Sequence, residues 1–182
     1  MPTAIGFRCE DGVVIAADRT QVRNGMVESR DHQRTFGYDD EEWGVAVAGD
    51  DADAVHEELR SKIRSYESHS DWEQAPSLEA LGRLAGEAAD EHGAPLVVAG
   101  VEEDGDAGIR VAYADGSTLD ETQAAVGSGT ESALGQLEAL DTDKPLPAAA
   151  EVARDVIATV AERDPATGEA ADVWTLEDTT NI

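Results

Sequence analysis

Cysteine, lysine and long apolar runs are scarce or absent in this sequence. Cys9 is the single cysteine, so an internal disulfide is excluded. Its place on a predicted strand indicates a small core residue and not a nucleophile. No apolar run approaches the roughly 20 residues that cross a bilayer, and no basic-then-apolar signal peptide precedes the first strand. We therefore expect a soluble, cytoplasmic protein without a membrane partner.

Basic residues are few in general, and this limits the partners. The chain has 13 basic residues, of which only Lys62 and Lys144 are lysines, against 40 acidic residues, and its formal net charge is -27. This charge argues against nucleic acid as a partner. The hydrophobic content of 41%, at periodic positions, predicts a packed core and not a disordered acidic chain. The acids are spread over every predicted turn and helix face, which is typical of a halophilic, archaeal protein whose self-repulsion is screened by salt.

The histidines and the chain length give two further expectations. His32, His56, His69 and His92 lie at no spacing typical of metal ligands, so we assign no metal and no other cofactor. A chain of 182 residues can bury a substantial core as one domain, and it shows no internal repeat. We take residues 1–182 as a single domain in which residues 177–182 form a flexible tail.

Strand patterns begin with a hairpin close to the N-terminus. Ala4, Ile5 and Phe7 form an apolar strand, residues 10–12 a polar turn, and residues 13–15 a β-branched run. Asp18 follows this second strand directly, and a charge at the end of a buried strand indicates a role beyond packing. Further strands are predicted at residues 35–38, 43–48, 95–101, 109–114, 118–126 and 172–176, with a turn at residues 24–25 between two short strands.

Helical periodicity appears in two pairs. In the first pair, one helix covers residues 52–66 and is capped by Asp50 and Asp51. After the loop 67–76, the other helix begins at its cap, Ser77, and ends at residues 92–93. The second pair comprises residues 131–140 and a helix that ends near residue 163. Two groups of strands, each followed by a helix pair, predict two stacked sheets with a helix layer outside each.

Five motifs resemble, in order and spacing, those of 20S proteasome subunits, which are N-terminal nucleophile hydrolases. They are TAIG near the start, CEDGVVIAADR, AGDDAD, VGSGT and ERDPATG, and the resemblance covers residues 2–176. It implies an α+β fold, the four-layer αββα sandwich, and stacked rings built from copies of the chain or from other proteasome-type subunits. It also implies peptide or unfolded protein as substrate. The first stretch resembles a silent α-type subunit as much as an active β-type subunit.

The resemblance assigns catalysis in active β-type subunits to an N-terminal threonine. Its hydroxyl is the nucleophile, its own α-amine is the base, and a lysine and an aspartate set the protonation of that amine. Alignment on Gly6 and Asp18 puts Pro2 at the position of the threonine and Arg34 at that of the lysine. Proline has no hydroxyl, and arginine keeps the charge but does not relay a proton. The chemical centre of the family is therefore altered here.

The other matched positions are retained or conservatively changed, and Thr167 stands where the family has a serine. Asp18 takes the place of the aspartate and is expected to pair with Arg34, and Gly49 falls where a backbone N–H forms the oxyanion hole. The remaining matches are Val47 near the specificity pocket and Ser128, Asp164 and Thr167, which brace the nucleophile. Each also has a structural interpretation: Asp18 and Arg34 as a buried ion pair, Ser128 as a helix cap, and Asp164 with Thr167 as a polar turn.

Three hypotheses remain open at this point. The first is a proteasome-like subunit without hydrolase activity that acts in ring assembly, gating or binding. The second is an active threonine peptidase in which loss of Met1 and Pro2 exposes Thr3, although a shift of one residue along a strand turns the side chain to the opposite face. The third is amine chemistry at Pro2 after methionine removal, by analogy with lysine Schiff bases.

Overall fold

In a computed structural model, which describes residues 1–69 and 76–179, strands and helices alternate in the predicted order. The strands are β1 (Thr3–Cys9), β2 (Gly12–Asp18), β3 (Gln21–Arg23), β4 (Met26–Ser29), β5 (Thr35–Tyr38), β6 (Trp43–Val47), β7 (Leu96–Val101), β8 (Ala107–Ala112), β9 (Thr118–Glu121), β10 (Gln123–Gly127) and β11 (Ala171–Glu177). The helices are α1 (Ala52–His69), α2 (Leu78–His92), α3 (Thr130–Ala139) and α4 (Leu146–Ala161).

Two antiparallel sheets form the centre of the structure. One has the strand order β10-β1-β2-β11 and the other the order β5-β6-β7-β8-β9, while β3 and β4 pair only with each other. The predicted single strand 118–126 is wrong, because β9 pairs with β8 in one sheet and β10 pairs with β1 in the other. The chain bends at Thr122 and changes sheets there.

A helix pair covers the outer face of each sheet. The helices α1 and α2 pack on the five-stranded sheet through Val55, Leu59 and Leu81, which join Val45 and Val98 in one apolar cluster. The helices α3 and α4 cover the four-stranded sheet in the same way. A third cluster lies between the sheets. The four-layer αββα sandwich predicted from the sequence is therefore confirmed.

Local signals in the sequence account for the helix boundaries. The Ser77 side chain accepts a hydrogen bond from the Ala80 N–H at 3.4 Å and caps α2, and Gly93 ends that helix in the left-handed conformation. Asp51 accepts from the Ala54 N–H at 3.2 Å at the start of α1. The caps predicted at Ser77 and Asp51 are thus correct, whereas Asp50, the other residue predicted as a cap of α1, makes no capping bond among the described residues.

The edge of the sandwich depends on a tryptophan that lies against two glycines. Trp174 on β11 crosses β5 and β6 at Gly37 and Gly44, and a Cβ on Gly44 would come within 2.5 Å of the indole. Its Nε1–H donates to Asp39 at 2.7 Å. Only glycine permits this approach, so the two positions fix how closely the sheet edges meet.

Two predicted boundaries differ from the structure. The helix α1 continues to His69, three residues beyond its predicted end, and the rest of the predicted loop, at residues 70–75, lies outside the described residues. Glu177 belongs to β11, and the buried Asp178 accepts from the Ala107 N–H at 2.8 Å and from Arg8 at 3.0 Å. These bonds fix the start of the predicted tail; residues 180–182 lie outside the described part.

No helix in the described part of the chain combines the length and the apolar character that a bilayer crossing requires.

The packing of α1 gives a direct test of the core. Leu59 is fully buried, so we expect Leu59→Ala to lower the free energy of unfolding by about 2–5 kcal/mol, through lost burial and the cavity left behind. Urea unfolding at constant salt measures the change. Leu119→Ala is the matched control, because Leu119 is 47% exposed, and its effect should stay within about 0.5 kcal/mol. Equal losses in the two variants would contradict the assignment of the core.

Candidate functional site

The start of β1 brings two neighbouring residues to opposite faces of the sheet. Alternate strand residues point to opposite sides; Ala4 packs between the sheets, whereas Ile5 packs against α3 and α4. Thr3 is fully buried, and its Oγ lies 2.7 Å from the Oγ of Thr167, in the loop after α4. Pro2 is also buried and, as it precedes Ala4 by two residues, alternation puts it on the same side of the chain as Ala4. The Thr3 hydroxyl therefore faces the helix layer.

The Asp18 carboxylate is the most highly coordinated group of the site. Oδ1 accepts from the Thr3 N–H at 2.8 Å, and Oδ2 accepts from the N–H groups of Thr20 and Gly168, both at 2.9 Å. Burial raises the pKa of this carboxyl, while the three N–H donors and the charge of Arg34 act in the opposite direction. Asp18 thus joins the start of β1, the end of β2 and the loop after α4.

Arg34 does not pair directly with Asp18, contrary to the expectation from the sequence. No ion pair within 4.0 Å joins the two among the described residues. The guanidinium instead donates to the Gly49 carbonyl, to Gln21 Oε1 and, at 3.3 Å, to the Thr20 carbonyl. Backbone N–H groups thus satisfy the oxygens of Asp18, while carbonyl and amide oxygens satisfy the guanidinium of Arg34. Burial lowers the pKa of Arg34 while nearby carboxylates oppose the shift.

Hydroxyl groups form a connected chain on the helix side of β1. Asp164 Oδ2 accepts from the Oγ of Ser128 and from that of Thr167, both at 2.6 Å. Because Thr167 gives its proton to Asp164, the Thr3 hydroxyl gives its own proton to Thr167 and accepts from the Gly129 N–H at 3.0 Å. Burial alone would raise the pKa of Asp164, but the hydroxyl donors hold it below its usual value. Asp164 is therefore ionised at neutral pH.

Ser128 is not the cap of α3, so its structural interpretation is wrong. The N-cap is Gly129, which makes no side-chain bond. The exposed Ser128 Oγ contacts Asp164 and the carbonyl oxygen of Met1. Ser128 thus lies between Asp164 and the chain ahead of β1, and its single hydroxyl proton can be donated to only one of the two oxygens at a time.

A cavity of about 290 Å³ opens beside Gly49. Its lining consists of Met1, Ala48, Gly49, Asp50, Asp51, Val55, His92, Gly93 and Ala94. Met1 therefore reaches from Ser128 to the cavity and lies across the site. A Cβ on Gly49 would meet the Cβ of Ala94 at 2.6 Å, so glycine is required here for packing as well as for access.

Val47 does not line this cavity. It is fully buried and belongs to the apolar cluster beneath α1 and α2. Along β6, Val45 and Val47 face the helices while Ala46 faces the other sheet, so strand alternation places Val47 beneath the helix layer, next to Gly49 but outside the cavity lining. Val55 of α1 supplies an apolar wall of the cavity instead.

The site contains two separate groups of predicted residues. Asp18, Arg34 and Gly49 are linked through backbone atoms, and Ser128, Asp164 and Thr167 are linked through hydroxyls; Thr3 belongs to both groups. Sequence reasoning missed Gln21, Met1 and His92, for which no local pattern gives a signal. Within the described residues, no group of three or more histidines, cysteines or carboxylates could hold a metal ion.

The Asp18 geometry predicts a cost when its charge is removed. In Asp18→Asn, one oxygen becomes an amide NH₂; on the Oδ2 side it would face the N–H groups of Thr20 and Gly168, donor against donor. We expect the free energy of unfolding to fall by about 1–3 kcal/mol. Urea unfolding at fixed pH measures this, and Asp155→Asn on the exposed face of α4 is the control.

The pH dependence of the stability of wild type and of Asp18→Asn tests the direction of the pKa shift of Asp18. A carboxyl whose pKa is raised on folding contributes stability below its unfolded pKa of about 3.9, and this contribution is lost as the pH rises through the folded value. The advantage of wild type over Asp18→Asn should therefore shrink as the pH rises from about 4. An advantage that grows instead would mean that the three N–H bonds outweigh burial.

Comparisons with known proteins agree with this geometry. The family model described as "Proteasome subunit" matches residues 2–176. A proteasome subunit beta of Methanopyrus kandleri is 31% identical over 96% of this chain and 86% of its own length. Proteasome subunits beta of the halophilic archaea Halorubrum lacusprofundi and Haloferax volcanii are 31% and 30% identical, over 97% and 94% of this chain and 73% and 71% of their own lengths. The chain belongs to the proteasome subunit family, and these relatives are beta subunits.

Proposed function

We propose that this chain is a proteasome beta-type subunit that acts in ring assembly or substrate binding in the cytoplasm and does not hydrolyse peptides by the threonine mechanism. The observation that supports this most strongly is that neither residue at the start of β1 combines the register of the family nucleophile with a free hydroxyl. Pro2 has the register of the family nucleophile and lacks a hydroxyl. Thr3 has the hydroxyl but is buried, with its proton directed to Thr167 and its lone pair to the Gly129 N–H.

The surroundings of Arg34 support the same conclusion. A guanidinium does not exchange its proton at neutral pH, so it cannot relay one between a nucleophile and a leaving group. Here it donates to the carbonyls of Gly49 and Thr20 and to Gln21. These bonds hold the backbone at Gly49, which lines the cavity, and the backbone at Thr20, just after β2. The retained cavity beside Gly49 remains suitable for an apolar or small peptide side chain, whereas the chemistry of acyl transfer is lost.

The partners follow from the family. Proteasome subunits assemble into multi-subunit rings, and we propose that this chain joins such a ring with further copies of itself or with other proteasome-type subunits. Peptide or unfolded protein is the material that the cavity would bind. The uniform negative charge of the chain gives no suitable surface for nucleic acid.

One observation favours an active threonine peptidase as the second candidate. The Thr3 nitrogen lies 2.8 Å from Asp18 Oδ1. If Met1 and Pro2 were removed, this nitrogen would become an α-amine held by a carboxylate, beside its own hydroxyl. The hydroxyl would still need to turn away from Thr167 and Gly129 to meet a substrate at Gly49, because it faces the helix layer.

Peptide turnover combined with intact-mass analysis separates the two candidates. We expect the purified protein in high salt to start at Met1 or Pro2 and to release no fluorophore from peptide substrates above the rate of buffer. The physical reason is that neither N-terminal residue carries an alcohol beside a free amine. The measurement is run on wild type, Thr3→Val and the conservative control Thr3→Ser.

The opposite result has a clear signature. Steady turnover by wild type and Thr3→Ser, its loss in Thr3→Val, and a mass that begins at Thr3 would together overturn the proposal. Turnover that survives in Thr3→Val would indicate a contaminating peptidase, and the mass then decides whether Thr3 is ever exposed.

A further inference from the structure

The last strand of the chain, β11, is the longest edge strand of the two large sheets. In the order β10-β1-β2-β11 it has a partner on one side only. It has seven residues, whereas the edge strands β5 and β9 have four each and β10 has five. Short edge strands limit pairing with other chains. Among the described strands, β11 is therefore the edge that offers the most complete template for an added strand.

The backbone groups of β11 alternate between β2 and the open edge. The Asp178 N–H donates to the Asp11 carbonyl at 2.9 Å, on the side of β2. The register between the two strands is unbroken, and ladder bonds recur at every second residue of an antiparallel pair. The N–H and C=O groups of Val173, Thr175 and Glu177 therefore point to the open edge, where they have no backbone partner among the described residues.

A groove of about 470 Å³ opens beside this edge. Leu146, at the start of α4, lines it from the helix layer, and Asp39 and Glu42, between β5 and β6, line it from the opposite sheet. Trp174 and Thr175 belong to its lining on β11. The groove thus has an apolar contribution on the helix side and a carboxylate contribution on the side of the other sheet.

The charged residues of the groove are all acidic. They are Asp39, Glu42, Glu177 and Asp178, and no basic residue lines the groove. Asp178 is paired with Arg8 at 3.0 Å. The other three carboxylates have no ion pair within 4.0 Å among the described residues. Unpaired backbone groups and uncompensated negative charge therefore occur together at this edge.

We propose that β11 binds an extended peptide segment as an added strand, and that this segment carries basic side chains at alternate positions. Its backbone pairs with the outward N–H and C=O groups of β11. Side chains of a strand alternate between two faces, so one set lies towards Asp39 and Glu42 and is basic, while the other lies towards Leu146 and is apolar. A second copy of β11 is disfavoured as the occupant, because it brings the same carboxylates to the contact.

This binding surface is separate from the site described above. The groove shares no lining residue with the cavity beside Gly49. Peptide binding at β11 therefore depends neither on hydrolysis nor on what the cavity accepts.

Fluorescence anisotropy with a defined peptide tests the proposal on the full-length protein. The probe is a labelled peptide of alternating lysine and valine with seven residues, the length of β11. One matched probe has glutamate in place of lysine, and the other carries N-methyl groups on its amides, which remove the backbone donors. We expect saturable binding of the lysine probe and dissociation constants about tenfold or more higher for both matched probes.

Substitutions at Thr175 test the same backbone bonds from the side of the protein. Thr175→Pro removes one outward N–H, and proline is tolerated on a strand edge that faces away from the ladder. Thr175→Val keeps the N–H and is the matched control. We expect the proline variant to raise the dissociation constant by about fivefold or more, while the valine variant binds like wild type. Circular dichroism confirms that each variant is folded.

The charge of the groove is tested at two exposed glutamates. Glu42→Gln/Glu177→Gln should raise the dissociation constant of the lysine probe by about threefold or more. Glu131→Gln/Glu138→Gln makes the same charge change on the exposed face of α3 and should leave binding unchanged. All variants are compared at one salt concentration, since salt screens these charges.

Several outcomes would overturn the proposal. They are no saturable binding by wild type, equal binding of the N-methylated probe, a folded Thr175→Pro that binds like Thr175→Val, or equal losses in the two glutamate variants. If Thr175→Pro does not fold, the N-methylated probe decides alone. A wild-type dimer in sedimentation velocity that Thr175→Pro abolishes would assign the edge to a second copy instead. Cleavage of the probe, read by mass analysis after the titration, would contradict the proposed loss of hydrolysis and leave the β11 contact standing.

Discussion

The hydrogen bonds of the Asp18 carboxylate connect the parts of the chain on which the site depends. Its oxygens accept from the N–H groups of Thr3, Thr20 and Gly168, which lie far apart in sequence. A buried carboxylate without these donors would be too costly to keep ionised. The start of β1, the segment just after β2 and the loop after α4 therefore have to be in place together.

The bonds of the Arg34 guanidinium join two segments that are apart in the sequence. It donates to the carbonyl oxygens of Thr20 and Gly49 and to Gln21 Oε1. Its Nε has no hydrogen-bond partner within the described residues. Arg34 thus couples the segment that follows β2 to the segment between β6 and α1, where Gly49 lines the cavity.

The formal net charge of the chain is -27, and like charges on neighbouring copies repel at low salt. Salt screens this repulsion, so contacts between copies are expected to depend on the salt concentration.

The sequence by itself determined the order of elements, the caps of α1 and α2, the four layers and the family, because these follow from periodicity, cap chemistry and ordered motifs. It also brought Asp18, Ser128, Asp164 and Thr167 to notice as site residues. Only the tertiary structure decided the hydrogen-bond partners. The sequence suggested an Asp18–Arg34 pair and, as one alternative, a Ser128 cap, and the described residues show neither of them. It also placed Val47 near a specificity pocket, and the lining of the cavity beside Gly49 does not include Val47. Such contacts depend on which groups from distant segments lie nearest to each polar atom in the folded chain, and a local sequence pattern does not contain that information.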